Sequence, residues 1–294
     1  MRIGLVDVDS HKFPNLALMK ISAWHRQRGD TVEWADPSIF YDVVYKAKVF
    51  DGIYTKDDLR SYSCDKLIEG GTGYDLTSKL PPEIESCFPD YSLYGITDTA
   101  YGYLSRGCPR GCPFCIVGEK EGKQSYKVAD LSNFWNGQKE IKLLDPNITA
   151  CPDYFELMQQ LADSKAWVDF TQGLDIRLMT DAKAEALNRV KYKMIHFAWD
   201  NFNDKIVEEK LKQYADVWKG TYRRRRVYIL TNFGSTHEQD LYRIYKVKEL
   251  GYSPYVMIYN KPSAPQITRR LQRWCNSPFI FRTCEDFKDY TTKR

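Results

Sequence analysis

Three cysteines, Cys108, Cys112 and Cys115, stand in one short stretch, GYLSRGCPRGCPFCIVGEK, at residues 102–120. Their spacing is C-x3-C-x2-C. Thiolates are natural ligands for iron, and four of them would close a 4Fe–4S cluster. Three close neighbours supply three ligands and leave one iron open to a substrate or cofactor. Gly107 and Gly111 let such a loop wind tightly, and Pro109 and Pro113 stiffen it. The other five cysteines, Cys64, Cys87, Cys151, Cys275 and Cys284, are scattered and read as buried or free thiols. In a chain that reads as cytoplasmic, a tight cluster points to metal or catalysis rather than to crosslinks. Zinc is the competing reading, because C-x2–4-C spacings are also zinc-like and Cys151 offers a fourth ligand.

The elements around this loop decide what it can be used for. From Tyr101 onward, short apolar runs alternate with stretches of helical period. Strands are expected at Tyr101–Ser105, Glu140–Leu144, Trp167–Thr171, Met194–Trp199, Arg226–Thr231 and Tyr255–Tyr259. Helices are expected near 129–136, 153–163, 181–190, 204–216, 237–250 and 264–274. Asp153 and Asp181 fall where caps or first-turn acids belong, and Gly251 where a helix ends. Strands each followed by a helix imply a parallel sheet with right-handed crossovers.

The expected fold class is therefore α/β: a partial (β/α)6 TIM-like barrel of parallel strands, preceded by a small doubly wound α/β domain. Sites in such barrels form at the carboxyl ends of strands, and the cysteine loop directly follows the first of them. Ahead of the barrel, Ile3–Asp7, Thr31–Trp34 and Asp42–Ala47 read as strands and Leu16–Arg28 as a helix. Gly70-Gly71-Thr72-Gly73 and Pro81-Pro82 read as a linker. The domains expected are a Rossmann-like unit at 1–95, the barrel at 96–262, and a C-terminal helix and tail at 263–294.

With an aromatic, Phe114, before its third cysteine, the motif resembles that of the radical S-adenosylmethionine (SAM) superfamily, over about residues 98–262. The resemblance implies a 4Fe–4S cluster on Cys108, Cys112 and Cys115, with the open iron chelating the amino and carboxylate groups of SAM. In that family one electron cleaves the sulfonium to methionine and a 5′-deoxyadenosyl radical, which abstracts hydrogen from a substrate. The electron implies a reductant such as flavodoxin or ferredoxin.

The resemblance also places SAM contacts at the later strand ends. Asp145, in Leu144-Asp145-Pro146-Asn147, is placed to accept from the methionyl ammonium, although the family's glycine-rich element is missing there. A turn before a helix is the alternative. Gly173 would allow close backbone approach, and Arg177 could fork onto the SAM carboxylate. Asp175 would orient Arg177 or bind the ribose, against a surface ion pair as the alternative. Asp200 and Asn232 are further cofactor candidates, or caps of the next helices. Met257, Ile258 and Tyr259 would wall the adenine, or belong to the core.

Several radical SAM subfamilies carry a cobalamin-binding domain ahead of the barrel, which the first unit resembles in order and position. Cobalamin domains carry D-x-H-x-x-G. Here Asp9 and His11 match, Pro14 stands at the glycine, and Gly70-Gly71 stands for a later double glycine. Proline adds bulk and fixes φ where the loop would pass beneath a corrin. The expectation is a retained fold that has lost cobalamin.

Composition narrows the rest. Formal charge is +4, from 43 basic and 39 acidic residues, too mild to imply nucleic-acid binding by itself. Arg223–Arg226 precede the fifth barrel strand, at the amino end of the barrel. They read as a solvated edge, with RNA contact, aided by Arg269, Arg270 and Arg273, as the alternative. No run of 18 apolar residues occurs, so no membrane span is expected. The opening MRIGLVDVDS lacks a signal-peptide pattern. Two function classes stand: a radical SAM enzyme acting on an RNA, peptide or small-molecule substrate, or a non-catalytic zinc- or cluster-stabilised nucleic-acid-binding protein.

Overall fold

The computed structural model describes residues 1–10 and 13–291. It separates into two compact units: Met1–Gly102 with Asp130–Gln138, and Tyr103–Ala129 with Lys139–Arg294.

In the first unit, strands β1 (Arg2–Asp7), β2 (Thr31–Trp34), β3 (Phe40–Ala47) and β4 (Ser63–Gly70) form a parallel sheet ordered β2-β1-β3-β4. The unbroken apolar run of β1 is buried on both sides, and helix α1 (Leu16–Gln27) covers it with Leu18 and Ile21 against Ile3 and Leu5. Asn15 starts α1 by accepting from the amides of Ala17 and Leu18, as an N-cap does.

Strand β4 was not expected. Its sequence, SCDKLIEG, lies at the sheet edge with charged residues outward, which hides the apolar signal. Gly70-Gly71 is consequently not a linker. The Lys48 amide donates to the Gly70 carbonyl at 3.0 Å and the Gly73 amide to the Lys48 carbonyl at 3.0 Å. Gly71 has φ 99°, and a Cβ there would strike the Lys48 carbonyl; only glycine serves. Helix α2 (Pro82–Glu85) and strand β5 (Thr99–Gly102) complete this unit.

The second unit begins with the antiparallel pair β6 (Ser105–Arg106) and β7 (Tyr126–Lys127), which brackets the cysteine loop and its one-turn helix α3 (Val117–Lys120). Five parallel strands follow: β8 (Glu140–Leu143), β9 (Trp167–Phe170), β10 (Tyr192–Ala198), β11 (Arg225–Thr231) and β12 (Ser253–Ile258), each paired with the next. Helices α4 (Tyr154–Ser164), α5 (Asp181–Arg189), α6 (Lys205–Gln213), α7 (His237–Glu249) and α8 (Gln266–Asn276) alternate with them, and α9 (Pro278–Thr283) ends the chain's helices. Alternate strand residues such as Ile141, Val168, Ile195, Phe197 and Val227 are wholly buried, one face of each strand being packed inward. The fold is α/β with parallel sheets, as a partial barrel requires.

Two elements differ from expectation. The strand expected at Tyr101–Ser105 runs instead over Thr99–Gly102. The helix near 129–136 is a single 3-10 turn, Leu131–Asn133, closed by a reciprocal cap between Asp130 and Asn133. Asn133 and Asn136 compete with helical hydrogen bonding there, and Gly137, at φ 84°, leaves the helical region. The basic run lies at the amino end of β11 as expected, but all four of its guanidiniums are engaged locally, Arg223 over Tyr222. Arg224 sits over Trp167 and Arg226 over Tyr255, and Arg225 donates to the Ala215 carbonyl. No helix among the described residues is long and apolar enough to cross a membrane.

Candidate functional site

The cysteine loop is anchored at its start by Asp145, which follows β8. Its buried carboxylate accepts from the amides of Leu104 at 3.1 Å and Ser105 at 2.5 Å, and from the Ser105 hydroxyl at 2.7 Å. Burial pushes this carboxyl up to about 6 against those bonds. Both oxygens are thus spent on holding the chain that leads into the cysteines. Gly107 has φ 79°, and a Cβ there would strike the Gln124 carbonyl, so the loop folds back on itself. The Cys108 amide donates to the Gly122 carbonyl at 3.1 Å.

All three loop cysteines are free thiols; Cys108 and Cys112 are half-buried and Cys115 is exposed. The Cys112 thiol is pushed up, first by burial and then by the charge of Asp200, with Arg177 opposing and Cys115 and Cys108 adding. The thiols therefore stand within electrostatic reach of one another and of residues following β9 and β10.

An ionic network joins the loop to the segment after β9. Asp175 accepts from Arg110 Nε at 2.5 Å and from Arg177 Nε at 2.7 Å, and Arg177 Nη1 reaches Asp204 at 2.9 Å. Burial raises the Asp175 carboxyl, and Arg110 and Arg177 outweigh it, holding the group below the ordinary carboxylate value. Asn147 is buried beside them. Its Nδ2 lies 3.4 Å from Cys108 Sγ and 3.5 Å from Asp175 Oδ2, and its Oδ1 has no partner.

The remaining candidates fall around the strand ends. Gly173 has φ 103°, which favours glycine, although a Cβ there would meet the His196 carbonyl only at an ordinary contact distance of 3.6 Å. Asp200 follows β10 and is pushed up to about 6 by burial, against Arg243 and Arg177. Arg243 is wholly buried. It donates to the carbonyls of Trp199 at 2.6 Å, Asp200 at 3.0 Å and Leu230 at 2.8 Å, and pairs with Asp240 at 2.5 Å. It thereby ties together the exits of β10 and β11.

Asn232, at φ 61°, joins the exits of β11 and β12 by donating to the Tyr259 carbonyl at 2.8 Å, while Thr236 caps α7. Phe114 meets Phe233 edge-to-face at 5.4 Å, and Phe233 meets Tyr259 at 4.8 Å. Met257 and Tyr259 are 45% and 41% exposed, too open for core residues.

Reading the sequence alone missed Arg110, Asn147, Asp204 and Arg243. Arg110 carried a signal, since it is the only cation between the cysteines. Arg243 looks like any basic residue on a helix, and nothing local marks it.

Among the described residues no three His, Cys, Asp or Glu side chains are arranged to hold a metal ion. The fit to an iron–sulfur cluster rests on donor chemistry: three free thiols on one loop. That loop is wound by a glycine that nothing larger can replace, beside a buried amide oxygen left without a partner. Cys151, the possible fourth zinc ligand, is buried after a 3-10 turn with its sulfur 3.9 Å from Asp153. Cys275 is pushed up to about 12 by burial, which makes it an inert thiol.

In the first unit, both Asp9 oxygens accept backbone amides, from Val49 at 2.8 Å and Phe50 at 2.7 Å. Asp9 is thereby accounted for within the fold. His11 lies outside the described residues. A cavity of 670 Å³ opens at the ends of β1 and β2, lined in part by Asp7, Trp34, Tyr62 and Tyr94.

No protein-family model and no curated protein matches the chain. Among solved structures, it is similar to Streptococcus suis SuiB bound to the precursor peptide SuiA, at 13% identity and a TM-score of 0.45, over 64% of this chain and 46% of that one. For SuiB bound to S-adenosylmethionine the identity is 13% and the TM-score 0.43, over 63% of this chain and 44% of that one. The chain thus spans under half the length of these structures. At that distance the likeness concerns part of the chain path alone.

Proposed function

We propose that this chain is a radical SAM enzyme, with Cys108, Cys112 and Cys115 as the ligands of a 4Fe–4S cluster. The observation that carries the reading is the C-x3-C-x2-C loop itself, whose middle thiol feels the charges of Asp200 and Arg177 from the ends of successive parallel strands. When bound, the cluster and SAM supply an organic radical by reductive cleavage of the sulfonium, the electron coming from a flavodoxin- or ferredoxin-type donor.

The chain's own residues bind, orient and shield. Asp145 fixes the entry to the loop, and Asp175 fastens the loop to the segment after β9 through Arg110 and Arg177. The Asp175 and Asp204 pairs use two nitrogens of Arg177. A guanidinium carries five N–H donors, so Arg177 retains donors for a cofactor carboxylate. Phe114, Phe233, Tyr259 and Met257 offer an open aromatic and thioether wall against which an adenine would lie and exclude water. Asp200 and Asn232 stand at the same ends as polar contacts for the cofactor. The first unit, with Pro14 in place of glycine, is read as a retained fold without cobalamin.

Anaerobic reconstitution tests this. Wild type should take up about four irons per chain and cleave SAM when reduced. The triple variant Cys108→Ala, Cys112→Ala, Cys115→Ala should stay folded, bind no iron and leave SAM intact. A colourless wild type holding stoichiometric zinc, or a triple variant that retains its iron, would overturn the assignment.

A further inference from the structure

We infer that Asn147 is a positioning residue which donates a hydrogen bond from Nδ2 to the Cys108 thiolate and raises the reduction potential of the cluster held there. The inference rests on the cluster reading above. Asn147 follows β8 and is buried, and its main chain is held from two sides. The Ser125 hydroxyl and the Ala150 amide both donate to its carbonyl, at 3.1 and 3.2 Å. The side chain is thus delivered to one place, 3.4 Å from Cys108 Sγ and 3.5 Å from Asp175 Oδ2.

Chemistry fixes which end of the amide faces them. A thiolate bound to metal is an acceptor. The Asp175 carboxylate, charged between two guanidiniums, is another. The NH₂ has two hydrogens, one for each, whereas the reversed amide would set oxygen against both.

The other end shows that the residue is not there to fill space. Asn147 Oδ1 is buried with no partner, a penalty that a leucine of similar size would avoid. Hydrogen bonds to cluster sulfurs are among the determinants of reduction potential. A donor favours the reduced state, because one more electron on the cluster increases the negative charge at sulfur. Reduction adds one electron from an external donor, and no bond at Asn147 forms or breaks.

The test is an anaerobic redox titration of the reconstituted full chain, with dithionite as reductant and electron paramagnetic resonance of the reduced cluster as readout. Asn147→Leu should keep its iron and shift the midpoint to more negative potential. A tenfold change in the reduction equilibrium is the expected order, about 59 mV for one electron. Asn147→Asp, which keeps the shape but adds a negative charge, should shift further the same way. It also serves if the leucine variant does not fold. Unchanged midpoints in iron-loaded variants overturn the role of Asn147 and leave the cluster standing. A wild type that takes up no iron overturns both.

Discussion

Replacing Asp175 with Asn removes one charge at the point where the cysteine loop is fastened to the barrel. The Asp175 side chain is only 4% exposed, while Arg110 and Arg177 are 31% and 23% exposed. Each charge-assisted bond contributes about 1.5–3 kcal/mol net. Two are lost in part: an amide has one acceptor oxygen, and its NH₂ would face a guanidinium. Water and Asp204 recover some of the loss, so the expected destabilisation is about 2–4 kcal/mol, or roughly 5–10 °C in Tm.

The folded Asp175 carboxyl lies below its unfolded value. Its contribution is therefore fully present above about pH 4 and disappears as pH falls through the folded value. Thermal unfolding should show the largest gap between wild type and variant near neutrality, closing in acid. Limited trypsin digestion gives a local readout, because a released Arg110 should be cut faster at Arg110–Gly111. An Asp175→Asn variant with wild-type Tm at neutral pH and an unchanged cleavage rate there would show that Asp175 does not hold the loop.

Arg243→Met should cost about 3–5 kcal/mol, because it strands a buried carboxylate and three carbonyls, and should lower the urea midpoint accordingly. Adding Asp240→Leu should restore part of that loss, and strictly additive losses would contradict the clamp. Burial pushes His196 down to about 4 from 6.5. Its contribution is full above the unfolded value and declines as pH drops from about 6.5 to 4, by about 3 kcal/mol. Asp145, pushed up to about 6, acts with the opposite sign in an overlapping window. The measurement is thus the difference in pH-dependent stability between wild type and His196→Phe, and a difference that stays constant across that window would remove His196 from the account.

What could be read along the chain was whatever is local. Cysteine spacing, the aromatic at 114 and the two glycines lie within a single loop. The unbroken buried run of β1 announces itself, and β8 and β9 do so by strict alternation of buried and open residues, the period of a strand. Strand β4 escaped because an edge strand with alternating charge has no such run, and the turn at 129–136 because its asparagines defeat helical period. Asp175 and Arg177 were visible as a pair two residues apart. What no local pattern could supply is the partner across space. Arg110 and Asp175 are 65 residues apart, Cys108 and Asn147 are 39 apart, and Arg243 and Trp199 are 44 apart. Spacing along the chain was enough to mark the proposed ligands, because one loop can present three thiols by itself. The groups that orient them and set their charge were decided only when parallel strands brought their ends together, since hydrogen bonds and ion pairs act over a few ångströms regardless of sequence separation.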